Sequence, residues 1–412
     1  MRTGQGRRDF LRQVLAIVLI RSTRFPRTVS RQSARPGRGR RHVNVRDTGA
    51  RGDGVTDDTA AFAAAIAQLG PAGGTVDVPA GRYRIDPVRS IHLADSIAME
   101  MASGAVLAAL PVAQGNSAVI RLDGIQGASI RGGMIIGERD GHLGTAGEWG
   151  MGIQIMGGST ISVEGVRIEG CWGDGIYVGG RSGVEATHIT IRRCVVTNNR
   201  RQGMSMTGCR DSLVEGCTFA STHGTAPQAG IDLEPNGGFV VEGVTIRGCT
   251  VEGNHGYGIV LSGGREQHVQ TITLDDNRVA DNGFHGIGVV SSVDCSVRGN
   301  TVEHNGRDGV QIAGSSRVRL TGNTIRDNSR RTAGVWDNVI VQSLSTDNTV
   351  ANNNFMSAAI EDDREGPRYD VRIEPRCERT IVGRNHMRPS RGMGHHATGG
   401  LLDHGTATTA AG

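Results

Sequence analysis

A four-residue phrase recurs through the central part of the chain: a glycine, an apolar residue, a variable residue and a second apolar residue. This alternation places the two apolar side chains on one face of a strand and the variable side chain on the other. Successive clear copies start 23 to 28 residues apart, and periods in this range are typical of solenoids. The clear copies start at Gly152, Gly175, Gly203, Gly230, Gly258, Gly286 and Gly309, and worn copies at Asn338 and Asp370.

A second series of small and amide residues advances with a similar period. Helical periodicity is absent from this region and β-branched residues are frequent. Two series that advance together therefore predict an all-β fold, a parallel β-helix in which each coil adds a layer of about 4.8 Å. The second series is expected to form one inward ladder, with Asn amides bonding from coil to coil. Its members are Cys171, Cys194, Cys217, Cys249, Asn277, Asn300, Asn323, Asn353 and Asn385.

The segment before the repeats predicts one short amphipathic helix over about residues 58–69. Phe62, Ile66 and Leu69 would lie on one face of it. An aspartate at 57 or 58 can cap the helix, and a glycine–proline pair ends it. A helix in this place covers the open apolar end of a β-solenoid and its first unpaired strand edge.

The distribution of charge divides the chain into a strongly basic N-terminal segment and a mildly acidic remainder. The net charge is +4, but residues 1–42 carry 12 arginines and one acidic residue, which leaves 33 arginines against 40 acidic residues in the rest. The body is therefore mildly acidic, which argues against a nucleic-acid surface. We predict a basic leader over 1–42, a β-helix domain over 43–388 and a disordered Gly/Ala/Thr/His-rich tail over 389–412.

Two further features concern location and redox state. Residues 7–12 read Arg-Arg-Asp-Phe-Leu-Arg and precede an apolar run, which resembles a twin-arginine export signal. We predict export to the periplasm or the extracellular space, with a plain basic leader or a misplaced start codon as the alternatives.

The seven cysteines are predicted to be free buried thiols. No other stretch is long and apolar enough to span a membrane.

Two motifs open the body of the chain. They read Gly-Ala-Arg-Gly-Asp-Gly-Val-Thr-Asp-Asp-Thr at 49–59 and Gly-Gly-Thr-Val-Asp-Val-Pro-Ala-Gly-Arg-Tyr at 73–83. This opening resembles the N-terminal part of the pectate-lyase-like superfamily, which includes rhamnogalacturonases, polygalacturonases and alginate epimerases. The resemblance covers about residues 43–388 and implies a right-handed parallel β-helix that acts on, or holds, polysaccharide. It does not select a reaction.

Stacked coils align their outward residues into stripes, where the function of a solenoid is concentrated. Asp232 and Glu234 stand two positions apart on one strand, so both should point outward, with Cβ atoms about 6–7 Å apart. We predict that they are the catalytic acid/base pair. The predicted substrate-binding residues around them are Trp149, Trp172, Asp174, Tyr177, Arg200, Arg201, Gln202, Ser205, His223, His255, Tyr257 and His285.

Chemistry suggests a role for each type of side chain in this set. Tryptophan rings offer an apolar face to a sugar, and Arg200 and Arg201 suit a uronate carboxylate. For Asp174, which precedes a glycine, ordinary turn chemistry is the alternative. A weaker set precedes the first full coil and either walls one end of a groove or belongs to loop structure: Glu138, His142 and Glu148.

Three reactions compete for this site. Hydrolysis uses two carboxylates, whose separation sets the stereochemistry. Elimination and epimerisation both begin by abstracting the proton beside a uronate carboxylate. Alginate epimerases carry Asp-Pro-His on such a strand, whereas the run here is Asp232-Leu233-Glu234, so only the aspartate is kept. The Asn-Thr-Asp and paired Asp-Asp pattern of polygalacturonases is absent.

We therefore predict an exported enzyme that cleaves glycosidic bonds in an acidic or uronate-containing polysaccharide. The alternatives are a polysaccharide lyase or C5-epimerase acting by proton abstraction, and a non-catalytic glycan-binding or tailspike-like module. No cofactor is expected to be required and no metal site is predicted, with Ca²⁺ as the ion to test. The expected partner is polysaccharide, without nucleic acid or a membrane span, and the expected state is a monomer or a homotrimer.

Overall fold

Parallel pairing of short strands dominates the fold, as the two repeat series predict. The computed structural model describes residues 41–264, 268–355, 366–387 and 400–411. Within them the strands form sheets of 23, 12 and 4 strands, and neighbouring coils pair in parallel, for example Tyr177 with Ser205 and Ser205 with Asp232. The predicted all-β class and the parallel β-helix are confirmed.

The strands are short because each coil must turn back onto the previous one within one period. In chain order they are β1 (His42–Asn44), β2 (Asp53–Asp57), β3 (Gly74–Val78), β4 (Gly81–Ile85), β5 (Ile91–His92), β6 (Ile97–Ala109), β7 (Asn116–Asp123), β8 (Ser129–Ile136), β9 (Trp149–Met156), β10 (Ser162–Glu164), β11 (Arg167–Glu169), β12 (Asp174–Gly179), β13 (Ala186–Thr187), β14 (Thr190–Arg192), β15 (Val195–Thr197), β16 (Gln202–Met206), β17 (Cys209–Arg210), β18 (Leu213–Glu215), β19 (Thr218–Ala220) and β20 (Ile231–Leu233).

The second half of the chain continues the same pattern. Its strands are β21 (Val241–Glu242), β22 (Thr245–Arg247), β23 (Thr250–Glu252), β24 (Ile259–Ser262), β25 (Val269–Gln270), β26 (Thr273–Asp275), β27 (Arg278–Ala280), β28 (Ile287–Val290), β29 (Ser296–Arg298), β30 (Thr301–Glu303), β31 (Val310–Ala313), β32 (Arg319–Thr321), β33 (Thr324–Arg326), β34 (Val339–Gln342), β35 (Thr349–Ala351), β36 (Val371–Ile373), β37 (Ile381–Gly383), β38 (Leu401–Asp403) and β39 (Thr409–Ala411). The helix α1 is Thr59–Leu69, and 3-10 turns cover Val45–Thr48, Gly70–Ala72 and Arg139–Gly141.

The 12-stranded sheet carries the glycine phrase and runs β5-β7-β9-β12-β16-β20-β24-β28-β31-β34-β36-β38. In each copy the two apolar residues point into the core. Ile231 and Leu233, for example, are fully buried on either side of Asp232. The variable residues consequently form an outward row on this sheet, the row on which the catalytic pair was predicted.

The predicted inward ladder exists, with one correction. The amide nitrogen of Cys194 donates to Cys217 Sγ and that of Cys217 donates to Cys249 Sγ, and the ladder continues through the asparagines to Asn385. Cys171 was wrongly placed in it. Pairing of Ile168 with Val196 puts Cys171 beside Asn199, whose Oδ1 accepts the Cys171 amide hydrogen at 3.0 Å.

Asn199 belongs to a second inward ladder that was not predicted. Asn254, Asn282, Asn305 and Asn328 occupy equivalent places in later coils, and each accepts a backbone hydrogen bond from the coil before. This ladder explains the glycine of the phrase. A Cβ atom on Gly258 would lie 2.8 Å from the Asn282 Nδ2 and 2.4 Å from a Val279 methyl, so a side chain there would collide with the ladder.

Helix α1 begins at Thr59 and ends at Leu69, as predicted. Phe62 and Leu69 are buried against the first strands, and the ring of Phe62 meets that of Tyr83 edge-on at 5.5 Å. Asp58 stands at the N-cap position but makes no capping bond. Its carboxylate instead accepts the amide hydrogens of residues 51 and 52, which fastens the preceding turn to the helix start.

The C-terminal segment differs from the predicted disordered tail. Strand β38 pairs with β36 and β39 pairs with β37, so residues 401–411 belong to the coils. Residues 388–399, like residues 1–40 with the predicted export signal, lie outside the described residues. All seven cysteines are buried free thiols, as predicted. Among the described residues no helix is long and apolar enough to cross a membrane.

Candidate functional site

Asp232 lies at the centre of β20, between Ser205 on β16 and Val260 on β24. Its side chain leaves the sheet on the outer face, as predicted, but it does not face solvent, because the residue is only 3% exposed. The Nε2 of Gln202, itself fully buried, donates to Asp232 Oδ2 at 2.6 Å. The other oxygen, Oδ1, is buried and has no hydrogen-bond partner among the described residues.

These surroundings raise the pKa of Asp232 from 3.8 to about 7. Burial is the largest cause, since it disfavours the charged form. The negative charges of Glu234 and Asp174 add to the rise, while Arg201 and the Gln202 hydrogen bond oppose it. A group with this pKa changes charge near neutrality, which suits a general acid or base.

Asp174 begins β12 and is also fully buried. Its carboxylate accepts a hydrogen bond from Ser205 Oγ at 2.7 Å and lies 3.3 Å from Arg201 Nη1. Burial raises the pKa of Asp174 to about 6 in spite of these two partners. Arg201 Nε lies 3.6 Å from Glu148 and has no hydrogen-bond partner in the described part of the chain. Asp174 thus contacts two other predicted binding residues, Arg201 and Ser205.

The structure therefore joins a subset of the predicted residues through direct contacts or charge, and we call it the Asp232 cluster. Its members are Asp174, Arg201, Gln202, Ser205, Asp232 and Glu234. Glu234 follows β20 and is half-buried, whereas Asp232 points outward as predicted but is buried. Tyr177 is half-buried in the same outward row, and its hydroxyl accepts a hydrogen bond from Thr207 Oγ1 at 2.7 Å.

A second group of predicted residues surrounds Trp172. The ring of His142 stacks on it at 3.8 Å, and the Arg200 guanidinium lies over it at 3.8 Å. Glu138 Oε2 contacts His142 Nδ1 at 2.7 Å, and burial raises the pKa of Glu138. The Nη1 of Arg200 donates to the backbone oxygens of Gly147 and Trp172, so part of its hydrogen-bonding capacity holds the loop.

Other predicted binding residues lie outside both groups. Trp149 is 48% exposed on the strand before Trp172. The rings of His223 and His255 lie 5.3 Å apart on adjacent coils. The Nδ1 of His223 is 2.9 Å from the Ser221 oxygen, while His255 is exposed.

Tyr257 and His285 belong to a third group, farther along the same sheet. His285 is buried between the rings of Tyr257 and Trp336, at 5.1 and 5.9 Å. Its Nδ1 lies 3.0 Å from Asp308 Oδ2. The next coil adds Asp337, which is fully buried and whose pKa is raised by burial to about 6.

Sequence reasoning missed most of this third group, which we call the Arg307 cluster. Its members are Tyr257, Phe284, His285, Arg307, Asp308, Trp336 and Asp337. A signal was available, because Tyr257, His285, Asp308 and Asp337 occupy the same place in four successive coils, directly before the phrase. Extending that row into the worn copy at Asn338 would have found Asp337. Within the described ranges, no group of three or more His, Cys, Asp or Glu side chains is arranged to hold a metal ion.

Two family models match the chain. One, described as "Right handed beta helix region", matches residues 151–243 and 229–367. The other, described as "Rhamnogalacturonase A/epimerase, pectate lyase-like", matches residues 42–133. The predicted resemblance is therefore confirmed on both parts that suggested it.

Individual proteins give a consistent but more limited picture. The uncharacterized protein YclG of Bacillus subtilis (strain 168) is 30% identical over 262 residues, covering 54% of this chain and 45% of its own length. Mannuronan C5-epimerase AlgE5 of Azotobacter vinelandii is 63% identical over 43 residues, which are 10% of this chain and 4% of AlgE5. The chain thus spans less than half of the length of either relative.

A solved structure extends the likeness to the whole fold. The A-module of mannuronan C-5 epimerase AlgE4 from Azotobacter vinelandii superposes with a TM-score of 0.74 at 21% identity, over 90% of this chain and 100% of that module. At this identity the likeness establishes the fold alone. Since the family match spans more than half of the residues, the chain belongs to the right-handed β-helix family, with a pectate lyase-like N-terminal part of the rhamnogalacturonase A/epimerase type.

Proposed function

We propose that this protein modifies a uronate-containing polysaccharide by abstracting the proton at C5 of the sugar. The observation that carries the proposal is the state of Asp232. Its pKa is about 7, and Oδ1 is buried and has no protein partner in the described part of the chain. A base that is half ionised near neutrality, with one lone-pair oxygen unoccupied, suits proton abstraction from carbon.

A uronate is the substrate class that this base requires. The sugar carboxylate acidifies the C5 hydrogen, and a nearby cation must stabilise the charge that develops when the proton leaves. Arg201 is the cation whose charge acts on Asp232, and its side chain remains 16% exposed. The names of AlgE5 and of the AlgE4 module, both mannuronan C5-epimerases, favour the same class of substrate.

Two outcomes can follow the same first step. In both, the C5–H bond breaks and Asp232 Oδ1 takes the proton. In epimerisation a new C5–H bond forms on the opposite face, and Tyr177, in the row of Asp232 but two coils away, is our candidate donor of that proton. In elimination the electron pair of the broken C5–H bond forms a C4=C5 double bond, the C4–O bond breaks, and the departing oxygen takes a proton from Tyr177 or from solvent water. The protein's own groups serve both routes.

Hydrolysis by Asp232 and Glu234 is the second candidate. One observation favours it: the charge of Glu234 helps to raise the pKa of Asp232. One carboxyl group kept protonated beside a second carboxylate is the arrangement that glycosidases use. Hydrolysis differs from proton abstraction in its products, so the two candidates are separable in one assay.

The test is to incubate the purified protein in D₂O with polymannuronate, polyguluronate and polygalacturonate, each with Ca²⁺ and with a chelator. Deuterium at C5 by NMR, or ultraviolet absorbance from an unsaturated uronate, is the expected result. Reducing ends formed without either signal would establish hydrolysis instead. No change in any polysaccharide would overturn the proposal.

Variants connect the activity to the site. Asp232→Asn keeps the shape of the side chain but removes the base, so we expect the rate to fall by about 10²–10⁴. Asp294→Asn is the matched control, because Asp294 is an exposed partner of Arg317 in the turn before β29. A rate that falls equally in both variants, or in neither, would contradict the role of Asp232.

A further inference from the structure

The Arg307 cluster places a cation between two aromatic faces on the outer side of the 12-stranded sheet. The guanidinium carbon of Arg307 lies 3.8 Å from the centre of the Phe284 ring and 4.9 Å from that of Trp336. Arg331 adds a second guanidinium, 5.6 Å from the Phe284 ring. Phe284, Arg307 and Trp336 are all half-buried, so their edges remain accessible.

The donor groups of Arg307 are not consumed by the fold. No ion pair joins its guanidinium to a carboxylate of the described residues, and its Nε has no hydrogen-bond partner there. Arg200 is the internal comparison, because it stacks on Trp172 at the same 3.8 Å. Arg200, however, donates to two backbone oxygens. The same stacked geometry therefore supports a loop at Arg200 and leaves free donors at Arg307.

The backbone fixes this cluster before any ligand arrives. The amide nitrogen of Phe284 donates to the Gly256 oxygen, that of Arg307 to the Phe284 oxygen, and that of Ser329 to the Arg307 oxygen. Beneath them His285 and Asp308 are buried in contact with each other. A guanidinium held by stacking and by a rigid loop loses little conformational freedom on binding.

We propose that the Arg307 cluster is a binding subsite for an anionic sugar residue, separate from the Asp232 cluster. A guanidinium with free donors binds a carboxylate through two parallel hydrogen bonds, and the flanking rings offer apolar faces to the sugar. Strand β31, which follows Arg307, is three coils from β20, or about 14 Å along the axis. One sugar cannot contact both clusters.

The subsite therefore sets the direction and the minimum length of the substrate. A chain that reaches Asp232 and Arg307 together must run along the axis of the coils, across β24 and β28. This inference rests on the proposed function for the identity of the anion, a uronate. Binding through the subsite is measurable without turnover, so the two proposals can fail separately.

The experiment compares Arg307→Gln with Arg317→Gln, which removes the same charge from an exposed arginine paired with Asp294. Calorimetry measures the affinity of each protein for a uronate disaccharide and for a long uronate polymer. We expect Arg307→Gln to weaken polymer binding by about 10- to 100-fold and to weaken disaccharide binding less. Arg317→Gln should resemble the unaltered protein.

Three results would overturn the subsite. They are equal losses in the two variants, an equal loss for disaccharide and polymer in Arg307→Gln, and unchanged polymer affinity in Arg307→Gln. If the protein binds polymer through Arg307 but changes no polysaccharide chemically, the subsite stands and the proposed function fails. If the protein turns over uronates and Arg307→Gln changes neither binding nor rate, the proposed function stands and the subsite fails.

Discussion

The carboxyl group of Asp232 combines three properties that single residues seldom share. It is nearly inaccessible, it is held by one amide donor from Gln202, and one of its oxygens has no partner in the described part of the chain. Burial and the unpartnered oxygen make the ionised form costly in the folded protein, and the Gln202 hydrogen bond offsets only part of that cost. We expect such a residue to contribute reactivity rather than stability, a trade seen at many functional sites.

The first prediction at this scale concerns pH. Because the pKa of Asp232 is about 7 in the folded protein and 3.8 for the ordinary group, the folded state binds the proton more tightly than the unfolded state. The contribution of Asp232 to stability should fall as pH rises from about 4 to 7, and above 7 its ionised form costs up to about 4 kcal/mol. Urea melts at about pH 8 should therefore show that Asp232→Asn is more stable than the unaltered protein.

The same titration should govern catalysis, but in the opposite direction, because the ionised form that lowers stability is the form that acts as a base. A base must be ionised, so the rate of the unaltered protein should rise as pH increases through about 7. Asp294→Asn should retain that profile, and the stability advantage of Asp232→Asn should shrink as pH falls toward 4. If the advantage of Asp232→Asn is independent of pH, the buried carboxyl is not titrating as described.

The sequence was sufficient to place Asp232 on the outward row, because alternation along a strand decides the face. It was not sufficient to predict burial of the side chain. Burial depends on the side chains that neighbouring coils place beside Asp232, here Gln202 and Ser205. The residue type at these two positions changes from coil to coil, so the sequence does not indicate whether they cover the carboxylate. The hydrogen bonds of Arg200 could not be predicted for a similar reason, since the carbonyls that accept from its Nη1 belong to a loop, and its assignment to a uronate stays a prediction.

At the scale of elements, two asparagine ladders and one row of glycines hold the coils in register. Only one ladder was predicted, because its members follow a recognisable strand phrase, whereas Asn254, Asn282 and their equivalents stand in irregular turns. The error at Cys171 has the same origin. A step of 23 residues fits either ladder, and only the pairing of the adjoining strands decides between them.

The prediction at this scale concerns Asn300. Its Oδ1 accepts hydrogen bonds from Asn277, and its Nδ2 donates to Asn323 and to the Leu274 oxygen. Replacing Asn300 with Leu would leave these groups buried and unpaired, at a cost of about 1–3 kcal/mol for each group that finds no substitute. Urea unfolding should show a lower midpoint than in the unaltered protein.

Asn300→Cys provides the matched control. Cys217 and Cys249 occupy the same ladder and accept the equivalent backbone hydrogen bonds through sulfur, so a thiol should restore part of the lost stability. If Asn300→Leu is as stable as Asn300→Cys, the side-chain ladder does not contribute to the folding free energy.

The whole molecule grows by addition of coils, and its two ends are treated differently. At the N-terminal end α1 packs over the first strands. At the C-terminal end the coils continue through β38 and β39, where a composition rich in Gly, Ala and Thr suggested disorder. Composition fails there because a coil with parallel partners on one side needs few large side chains to keep its backbone paired.

The third prediction tests that end. Removing residues 388–412 deletes β38 and β39 and leaves the edges of β36 and β37 without partners. We expect a lower thermal midpoint and a greater tendency to associate through the exposed edges, measured by calorimetry and light scattering. A truncated protein with unchanged stability and no new association would show that β38 and β39 do not protect this end of the coils.

Because the core ladders fix the rise of every coil, the separation between Asp232 and Arg307 can take only discrete values. Evolution can lengthen a loop without moving either cluster, but it can change their spacing only by inserting or deleting a complete turn of the spiral, about 4.8 Å at a time. The rise of one coil is therefore the unit in which the distance between the two clusters changes. We expect a related chain with one turn more or fewer between these clusters to bind sugar polymers whose anionic residues are spaced differently. The reacting group itself would be unchanged.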